Sequence, residues 1–377
     1  MKDVRILDLS RVLAGPWAVQ QLADQGASVI KVEPPGGDDT RRFGPFVEGH
    51  STYFYACNRN KRSIEVNLKT SRGKHILARL LQWADVVVEN FRPQAMSSLN
   101  LDPKEILKTH PELVWVSIRG FGESVEEHKY RPGYDLLLQC EGGAAAITGD
   151  ENTPPFKHGN STADLTTGFN VVQAILLGLL HHSKTGIGQQ IVVNMLQTQV
   201  SCLTYHTTRW SIAGEAAEKR GNSHAGLVPY DLYPCIDGWL CIAVGTDAMW
   251  ARLCDALSID APISWKTNKG RLTHRDAIQE VLQSRTKQWK REDLSTLLRT
   301  FDIPAGPVLT PEQALDHPAA QHIEVSHDDL GTIPLVGPIV NTMTTRIHHS
   351  CPPDLNAHRA EILEEIGYAT DFPITSG

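Results

Sequence analysis

Strand-like and helix-like patterns of apolar residues alternate along the first third of the chain. Between short apolar runs, the three- and four-residue spacing of an amphipathic helix recurs, most clearly over residues 14–25 and 71–83. The runs themselves, rich in Val, Ile and Leu, predict strands at residues 4–9, 27–33, 62–66, 85–89 and 113–118. Strands that alternate with helices predict an α/β fold with a parallel sheet covered on both faces. The turn after the first strand lacks Gly-x-Gly-x-x-Gly, which does not favour a nicotinamide or flavin site.

One long apolar stretch lies near the middle of the chain. From Leu165 to Leu180 most residues are Leu, Val, Ile, Ala, Phe or Gly, which predicts a helix buried in a large domain. Gly168 and Gly178 cost such a helix about 1 kcal/mol each relative to alanine. We therefore expect both glycines to permit the close approach of a neighbouring element. A glycine stop at Gly186 precedes a predicted strand at 190–194.

A change of composition after residue 220 predicts a smaller α+β domain. Residues 195–220 look helical and partly exposed. Residues 230–235 and 239–244 then flank an Asp-Gly turn, which is a strong hairpin signal. Helices are predicted over 249–257 and 292–299. Between them, a third predicted helix begins at an N-terminal capping pattern with Thr273 and ends at residue 284.

Charge and cysteine content narrow the class of protein. The 377 residues carry a net charge of −7 without a basic block, so a nucleic-acid partner is not expected. The seven cysteines are odd in number and scattered, which indicates a reducing compartment and no structural zinc. We expect no apolar run to reach the roughly 18 residues that span a bilayer, and the N-terminus lacks a secretory signal. We expect a soluble cytoplasmic protein, with the mitochondrial matrix as the alternative in a eukaryote.

Asp164 lies at the beginning of the long helix, and its role has two interpretations. Aspartate is a favoured N-cap residue, so it could simply cap the helix. The positive helix end could equally hold an ionised carboxylate that attacks an activated acyl group. Ser161 and Thr162 could also cap, which would leave Asp164 free. The local pattern leaves both readings open.

Other candidate chemistry is weaker. Residues 36–70 are polar, and five cations at positions 41, 42, 59, 61 and 62 lie near two tyrosines, so this loop could hold a phosphorylated ligand or could be a solvated rim. The adjacent pairs at 181–182 and 348–349 are histidines that point in different directions and rarely chelate one ion. We therefore expect no metal site.

Several blocks in order resemble the family III CoA-transferases, and the resemblance runs from residue 4 to about 366. They are DLSRVLAGP at 8–16, VIKVE at 29–33, NRNKRSI at 58–64, DVVVENFRP at 85–93, GYD at 133–135 and KTGIGQ at 184–189. The resemblance implies an enzyme in which Asp164 is the nucleophile. Its carboxylate would form a mixed anhydride with the acyl group of an acyl-CoA, and then an aspartyl-CoA thioester. Such covalent catalysis needs no metal, but it does need hydrogen-bond donors around the developing oxyanions.

The resemblance also implies roles for other residues. Tyr53, Tyr134 and Asp135 match active-site residues of the family. Positions that line the CoA site are matched by Val66, Lys69, Asn90 and Phe91. Contacts to the phosphates or pantetheine of CoA are implied for Arg41, Arg92 and Arg131. Coenzyme A enters as a substrate, and no prosthetic group is expected.

The implied architecture is a Rossmann-like large domain, completed by the C-terminal segment, with a small domain between. We place the large domain at 1–200, a linker helix region at 201–225, the small α+β domain at 226–308, and the returning segment at 309–377. The family forms interlocked-ring homodimers, so a homodimer is expected.

Departures from the family pattern bear on the substrate. Leu13 stands where oxalate-specific members carry glutamine, and their glycine-rich lid has no counterpart around residues 244–246. Tyr134 stands where the related α-methylacyl-CoA racemases carry a histidine base. A Gly-Pro usual after residues 120–122 is absent, and Asn356 replaces a late glycine, so we expect these loops to differ in shape from those of the family.

Four further segments resemble the succinyl-CoA:dicarboxylate members that act on glutarate or hydroxymethylglutarate. They are DDTR at 38–41, EGHSTY at 48–53, NRNK at 58–61 and SHAGLVPY at 223–230. We therefore expect succinyl-CoA or a similar donor and a dicarboxylate acceptor. Arg59 or His224 would hold the distal carboxylate, since arginine pairs well with planar anions. Two alternatives stay open, a racemase-type proton transfer on the same fold and a CoA-binding protein without catalysis.

Overall fold

The chain folds into two compact units in a computed structural model that describes residues 1–342 and 348–368. The large unit comprises Met1–Ala145, Lys157–Ala213 and the residues from 321 onward. The small unit comprises Ala146–Phe156 and Gly214–Ala320. The units therefore change at residues 145/146, 156/157, 213/214 and 320/321, whereas the sequence placed its boundaries at 200/201, 225/226 and 308/309. The end of the predicted C-terminal segment, residues 369–377, lies outside the described residues.

The first 213 residues contain eight strands and ten α-helices. The strands are β1 (Arg5–Asp8), β2 (Ser28–Glu33), β3 (Phe46–Val47), β4 (His50–Ser51), β5 (Arg62–Glu65), β6 (Val86–Glu89), β7 (Val114–Arg119) and β8 (Gln190–Asn194). The helices are α1 (Ala14–Ala23), α2 (Thr52–Cys57), α3 (Ser71–Trp83), α4 (Pro93–Leu99), α5 (Pro103–Thr109), α6 (Asp135–Glu141), α7 (Ala144–Ile147), α8 (Thr162–Thr185), α9 (Met195–Cys202) and α10 (Tyr205–Thr208).

The remaining elements complete both units. Those of the small unit are β9 (Tyr230–Cys235), β10 (Gly238–Ala243), α11 (Asp247–Leu257), α12 (Asn268–Thr273), α13 (Arg275–Thr286), α14 (Arg291–Thr300), β11 (Ala305–Pro307) and α15 (Pro311–Leu315). The chain then returns to the large unit with β12 (His322–His327), β13 (Gly331–Val336) and α16 (Arg359–Glu365).

The large unit is built on one parallel sheet of six strands in the order β5-β2-β1-β6-β7-β8. Numbered along the chain, this order is 3-2-1-4-5-6, the doubly wound arrangement of dinucleotide-binding folds. The order reverses between β1 and β6, and in such sheets ligands bind outside the carboxyl ends of the strands at that point. The predicted α/β class with a parallel sheet is confirmed.

Both faces of this sheet are covered by apolar cores. On one face α1 and α8 pack against strand residues such as Ile6 and Val88. On the other face α3 and α16 pack against Leu7 and Val87. Because successive residues of a strand point to opposite faces, these runs are apolar at every position. A third core belongs to the small unit, where Tyr233, Leu240 and Leu253 are fully buried.

The two glycines of α8 lie where other elements approach closely. A Cβ atom on Gly168 would lie 2.7 Å from the Trp17 ring of α1 and 3.1 Å from the Ala14 carbonyl oxygen. One on Gly178 would lie 2.4 Å from Val114 on β7. The expectation that both glycines permit close packing is therefore confirmed.

Some local predictions differ from the structure. The 195–220 stretch is not one helix, because it breaks into α9, α10 and a short π-helical turn at Arg209–Ala213. Thr273 ends α12 and caps nothing, and the hairpin β12–β13 was not predicted. Asn356 has a φ of 65° and its side chain accepts a hydrogen bond from the Glu65 N–H at 2.9 Å. Asparagine tolerates this left-handed conformation, so the loop keeps a shape that a glycine would also allow.

Helix α8 is also long and apolar enough to cross a bilayer by length and composition. The expectation that no stretch reaches this length was therefore wrong by those two criteria. A core helix of a soluble protein meets the same criteria, so this one helix is weak evidence of a membrane span.

Candidate active site

The carboxylate of Asp164 is not used as a helix cap. Asp164 is the third residue of α8 and is partly buried. The N-cap residue, Ser161, makes no side-chain capping bond. Instead Asp135 Oδ1 accepts hydrogen bonds from the N–H groups of Ala163 (2.8 Å) and Asp164 (3.4 Å). Among the residues that the structure describes, none donates a hydrogen bond to the Asp164 carboxylate, so its oxygens are free to meet a ligand.

Asp135 is itself fixed in place. It is the first residue of α6, and its second oxygen, Oδ2, accepts a hydrogen bond from Gln139 Nε2 at 2.7 Å. Gln139 Oε1 in turn accepts one from the His158 N–H at 2.8 Å. The loop before α8, the start of α8 and α6 are thus joined through one carboxylate and one amide.

Burial, and then the negative charge of Asp135, raise the pKa of Asp164 to about 7. The positive end of α8 would lower this pKa, but the Asp135 carboxylate already occupies its first N–H groups. Desolvation therefore outweighs the helix dipole. The sequence expectation of a firmly ionised carboxylate is replaced by one that titrates near neutral pH.

Asp164 lines a cavity of about 700 Å³ in the large unit. The cavity lies at the carboxyl ends of β1, β6 and β7, beside the point where the strand order reverses. The start of α1 and the loop before α6 complete its wall. Its position matches the binding crevice of doubly wound sheets.

The wall of this cavity is rich in cations. Most of them are paired with acidic residues: Arg119 with Glu89, Lys129 with Glu126, Arg131 with Glu141 and Arg11 with Asp39. Arg92 is exposed, and no hydrogen bond or ion pair joins its guanidinium to any residue in the described part of the chain. The cavity wall therefore offers positive charge to an anionic ligand, alongside the carboxylates of Asp39, Asp135 and Asp164.

A second cavity of about 370 Å³ lies at the carboxyl ends of β1, β2 and β5. Its wall is mainly apolar, with Leu9, Val32, Val66 and Leu99, and Lys69 stands at the wall as a cation. Arg11, Phe91 and Ala95 line both cavities. A long ligand could therefore lie in both.

The structure brings together most of the predicted site residues. Around the larger cavity it places Asp164, Tyr134, Asp135, Asn90, Phe91, Arg92 and Arg131. Around the smaller one it places Val66, Lys69 and Phe91. Tyr53 is on α2 and lines neither cavity. Burial, and then charges that include Asp164 and Asp135, raise the pKa of Tyr53 to about 12, so its phenol lies within the field of these carboxylates.

Two predicted arginines lie elsewhere in the large unit and are already engaged. Arg41 donates to both carboxylate oxygens of Glu33, at 2.7 Å each, and its guanidinium lies 3.7 Å from the centre of the Phe54 ring. Arg59 is buried and donates to both oxygens of Asp24, at 2.8 and 2.6 Å. Neither lines the larger or the smaller cavity, and each guanidinium is bound to a neighbouring carboxylate.

The remaining predicted residue, His224, belongs to the small unit. There its Nδ1 accepts a hydrogen bond from the Gly226 N–H at 3.0 Å, and its ring packs against Tyr230. Its role in substrate binding stays a prediction.

The sequence did not single out the cations Arg119 and Lys129, and it gave Ser10–Val12 only as part of a family block, not as a turn that borders the cavity. The turn follows β1, Arg119 ends β7 and Lys129 lies after it, and the carboxyl ends of neighbouring parallel strands meet at one sheet edge. That rule was the signal that could have found them.

The comparisons with known proteins agree on one protein family. The model of CoA-transferase family III matches residues 1–359. The chain is 37% identical over 382 residues to the succinate–glutarate CoA-transferase of Agrobacterium fabrum, covering 97% of this chain and 95% of that protein. It is 36% identical over 385 residues to the succinyl-CoA:mesaconate CoA-transferase of Haloarcula hispanica, covering 98% and 97%.

A solved structure is similar over the same length. The crystal structure of a CAIB/BAIF family protein from Brucella suis superposes with a TM-score of 0.87 at 35% sequence identity, covering 97% of this chain and 98% of that one.

Proposed function

Because the chain belongs to CoA-transferase family III, we propose that it moves CoA from succinyl-CoA or a similar donor to a dicarboxylate, through covalent intermediates on Asp164. The observation that carries this proposal is the Asp164 carboxylate, which faces the larger cavity while Asp135 takes over its capping role.

The reaction proceeds through four exchanges at carbonyl carbons. The Asp164 carboxylate attacks the thioester carbonyl of the donor, the C–S bond breaks, and CoA thiolate leaves a mixed anhydride. The thiolate attacks the Asp164 carbonyl and releases the donor acid as a carboxylate, which leaves an aspartyl-CoA thioester. The acceptor carboxylate then expels the thiolate and forms a second anhydride. Thiolate attack on the acceptor carbonyl gives the new acyl-CoA and restores Asp164. No net proton is taken up or released.

The protonation state of Asp164 fits this role. A carboxylate whose pKa is raised to about 7 by burial is a better nucleophile than one stabilised by solvent or hydrogen bonds. Part of the Asp164 population is ionised at neutral pH, and the ionised form reacts. The reaction carries negative charge throughout, and the cations of the cavity wall offset that charge.

The two cavities suit the two ends of CoA. We place the adenosine end in the smaller cavity, with Val66 against the base and the Lys69 ammonium toward a phosphate. The pantetheine arm would then pass Phe91, which lines both cavities, and reach Asp164. Arg92, which has no acidic partner in the described chain, is the cation available to the phosphates or the arm.

The acceptor needs a site for its second carboxylate. Dicarboxylates appear in the names of both relatives, glutarate in one and mesaconate in the other. Because the Arg59 guanidinium is bound to Asp24, the cations near Asp164 are better candidates, and Lys129 and Arg131 on the loop before α6 lie at the cavity wall. Glu126 and Glu141 would release them in part when a carboxylate binds.

We also propose a homodimer. Helix α8 leaves Phe169, Leu176, Leu177 and Leu180 about half exposed, and a row of large apolar side chains on one helix is usually covered by a partner. A second copy of this chain is the expected partner. Sedimentation at micromolar concentration should give twice the chain mass.

An oxygen-labelling experiment tests the covalent route. The protein is incubated with succinyl-CoA and glutarate or mesaconate whose carboxylates carry ¹⁸O, and product thioesters and the peptide with Asp164 are read by mass spectrometry. In each turnover the anhydride oxygen from the acceptor stays on Asp164. The peptide should therefore gain first one and then two ¹⁸O atoms, and the Asp164→Asn variant should form no product.

Two outcomes would contradict the proposal. Product formation without label on Asp164 would mean direct transfer between the substrates. Absence of any new thioester, together with exchange of the α-proton of an acyl-CoA in deuterated water, would indicate racemase chemistry. A short-chain monocarboxylate such as acetate serves as the control acceptor, and it should react more slowly than either dicarboxylate.

A further inference from the structure

A strained turn follows the central strand β1 at the edge of the Asp164 cavity. Val12 has a φ of 69°, in the left-handed region. A β-branched residue is a genuine outlier there, because its side chain crowds the backbone. Such strain persists only where the surroundings impose it, and it concentrates at functional sites.

Side chains hold the backbone of the turn on all sides. The Ser10 N–H donates to Asp8 Oδ1 at 3.0 Å, and the Ser10 carbonyl oxygen accepts a hydrogen bond from Lys31 Nζ at 3.0 Å. The Arg11 N–H and carbonyl oxygen are both bound by the Asn90 amide, at 3.0 and 2.8 Å. Three different segments of the chain thus fix two consecutive residues.

Asp38 holds the strained residue itself. Both oxygens of the Asp38 carboxylate lie 3.3 Å from the Val12 nitrogen, which donates its N–H to them. Asp38 is fully buried and is fixed in turn by Lys31 Nζ at 2.9 Å and by the Thr40 N–H and hydroxyl at 3.0 and 2.9 Å. Burial opposes its ionisation, but Lys31 and Thr40 lower the pKa of Asp38 to about 2. The Asp38 carboxylate is therefore an anion held in one position, and it holds the Val12 N–H in place.

The turn sets where helix α1 begins. Val12, Leu13 and Ala14 line the Asp164 cavity, and α1 starts at Ala14 without a side-chain cap. One turn after Asp164, Gly168 lies against Ala14 and Trp17 of α1. A displaced Val12 would consequently displace the wall that faces the reacting carboxylate.

We propose that Asp38 is a positioning residue for the reaction at Asp164: it holds Val12 in the left-handed conformation and so places the start of α1 at the cavity. This inference rests on the proposed function. Asp38 does not line the cavity, and it acts only through the Val12 N–H.

A rescue experiment distinguishes positioning from ordinary stabilisation. Asp38→Asn should lower kcat at least about tenfold, while KM for either substrate changes less than about threefold, because no contact to substrate is lost. Adding Val12→Gly should restore most of that kcat, since glycine adopts a positive φ without being held. No such rescue is expected if the substitution merely weakens the fold.

Asp24→Asn is the matched control. Asp24 is also buried and ion-paired, with Arg59, but lies away from both cavities. This variant should lower the melting temperature and keep kcat within about twofold of the wild type. The inference is overturned if Asp38→Asn loses no more kcat than Asp24→Asn, or if Val12→Gly restores nothing. If the wild type itself shows no Asp164-dependent transfer, the proposed function fails first and this inference with it.

A second comparison applies if Asp38→Asn does not fold. Val12→Gly and Val12→Ala are then compared in the otherwise unchanged chain. Glycine should give the higher melting temperature and the higher kcat, because only alanine keeps a Cβ in the left-handed region. An equal or lower melting temperature for glycine would overturn the inference.

Discussion

Replacing Asp164 with asparagine should abolish turnover and yet stabilise the protein at alkaline pH. Burial and the charge of Asp135 raise the pKa of Asp164 from its ordinary value to about 7. A carboxyl with a raised pKa is easier to ionise in the unfolded chain, so ionisation favours unfolding. The penalty on the folded state begins near pH 4, grows as the pH rises to about 7, and stays constant above that. Asparagine keeps the shape and removes the penalty.

The size of the effect follows from the two pKa values. Their difference of about 3 corresponds to about 4 kcal/mol above pH 7. Part of the carboxylate faces the open cavity, and solvent screening there reduces the figure to about 2 kcal/mol. For a unit of this size the melting temperature should rise by about 5 °C at pH 8 and by much less at pH 5.

Thermal unfolding at pH 5 and pH 8 checks this reasoning. Asp102→Asn is the control, because Asp102 is a true N-cap whose side chain accepts the Lys104 N–H at 2.9 Å. Asparagine caps as well as aspartate, so this control should change little at either pH. If Asp164→Asn melts at or below the wild type at pH 8, or gains equally at both pH values, Asp164 does not carry a raised pKa and the reasoning is refuted.

Three further predictions follow from the site. The value of kcat/KM should fall about tenfold for each pH unit below the Asp164 pKa of about 7. Asp135→Asn should move this fall to lower pH, because it removes a negative charge that raises that pKa. A pH profile that does not move would contradict this prediction. Lys69→Ala should raise KM for acyl-CoA about tenfold with little change in kcat; the difference should vanish with 3′-dephospho-CoA thioesters if the ammonium binds that phosphate. Gly168→Ala should lower the free energy of unfolding in urea by about 1–3 kcal/mol, because its methyl group would lie 2.7 Å from a tryptophan ring of α1. Gly159→Ala is the control and should lower it much less, because there is open space around Gly159.

Much of the fold was predictable because the information is local. Fully buried strands of a parallel sheet are apolar at every position, as in residues 86–89, and the structure has β6 there. Helix α3 was predicted with its observed bounds, since its apolar spacing is regular. The Asp-Gly hairpin of the small unit was predicted for the same reason, because turn chemistry is read from two residues.

Other features could not be predicted from a local pattern. Thr273 matched a capping pattern, but an extra helix, α12, ends at that residue. Arg59 was expected to hold a substrate carboxylate, and in the structure its guanidinium is bound to Asp24 of the protein itself, so its substrate role stays a prediction. A pattern identifies what a side chain can bind, whereas only the fold decides which partner reaches it first.

The two interpretations of Asp164 show the same limit of a local sequence pattern at the residue that we propose as the nucleophile. From the sequence, the first interpretation of an aspartate at the start of a helix is that its side chain caps the helix. A capping carboxylate is not available as a nucleophile, so the two interpretations exclude each other. The capping role is no longer needed when another residue supplies the cap. Asp135, 29 positions earlier, places one carboxylate oxygen on the first N–H groups of α8 and is held there by Gln139. The surroundings of these two neighbouring carboxylates therefore differ: Asp135 is satisfied by hydrogen bonds, and Asp164 is left desolvated with a raised pKa. The catalysis that we propose at Asp164 therefore depends on Asp135 as much as on Asp164 itself.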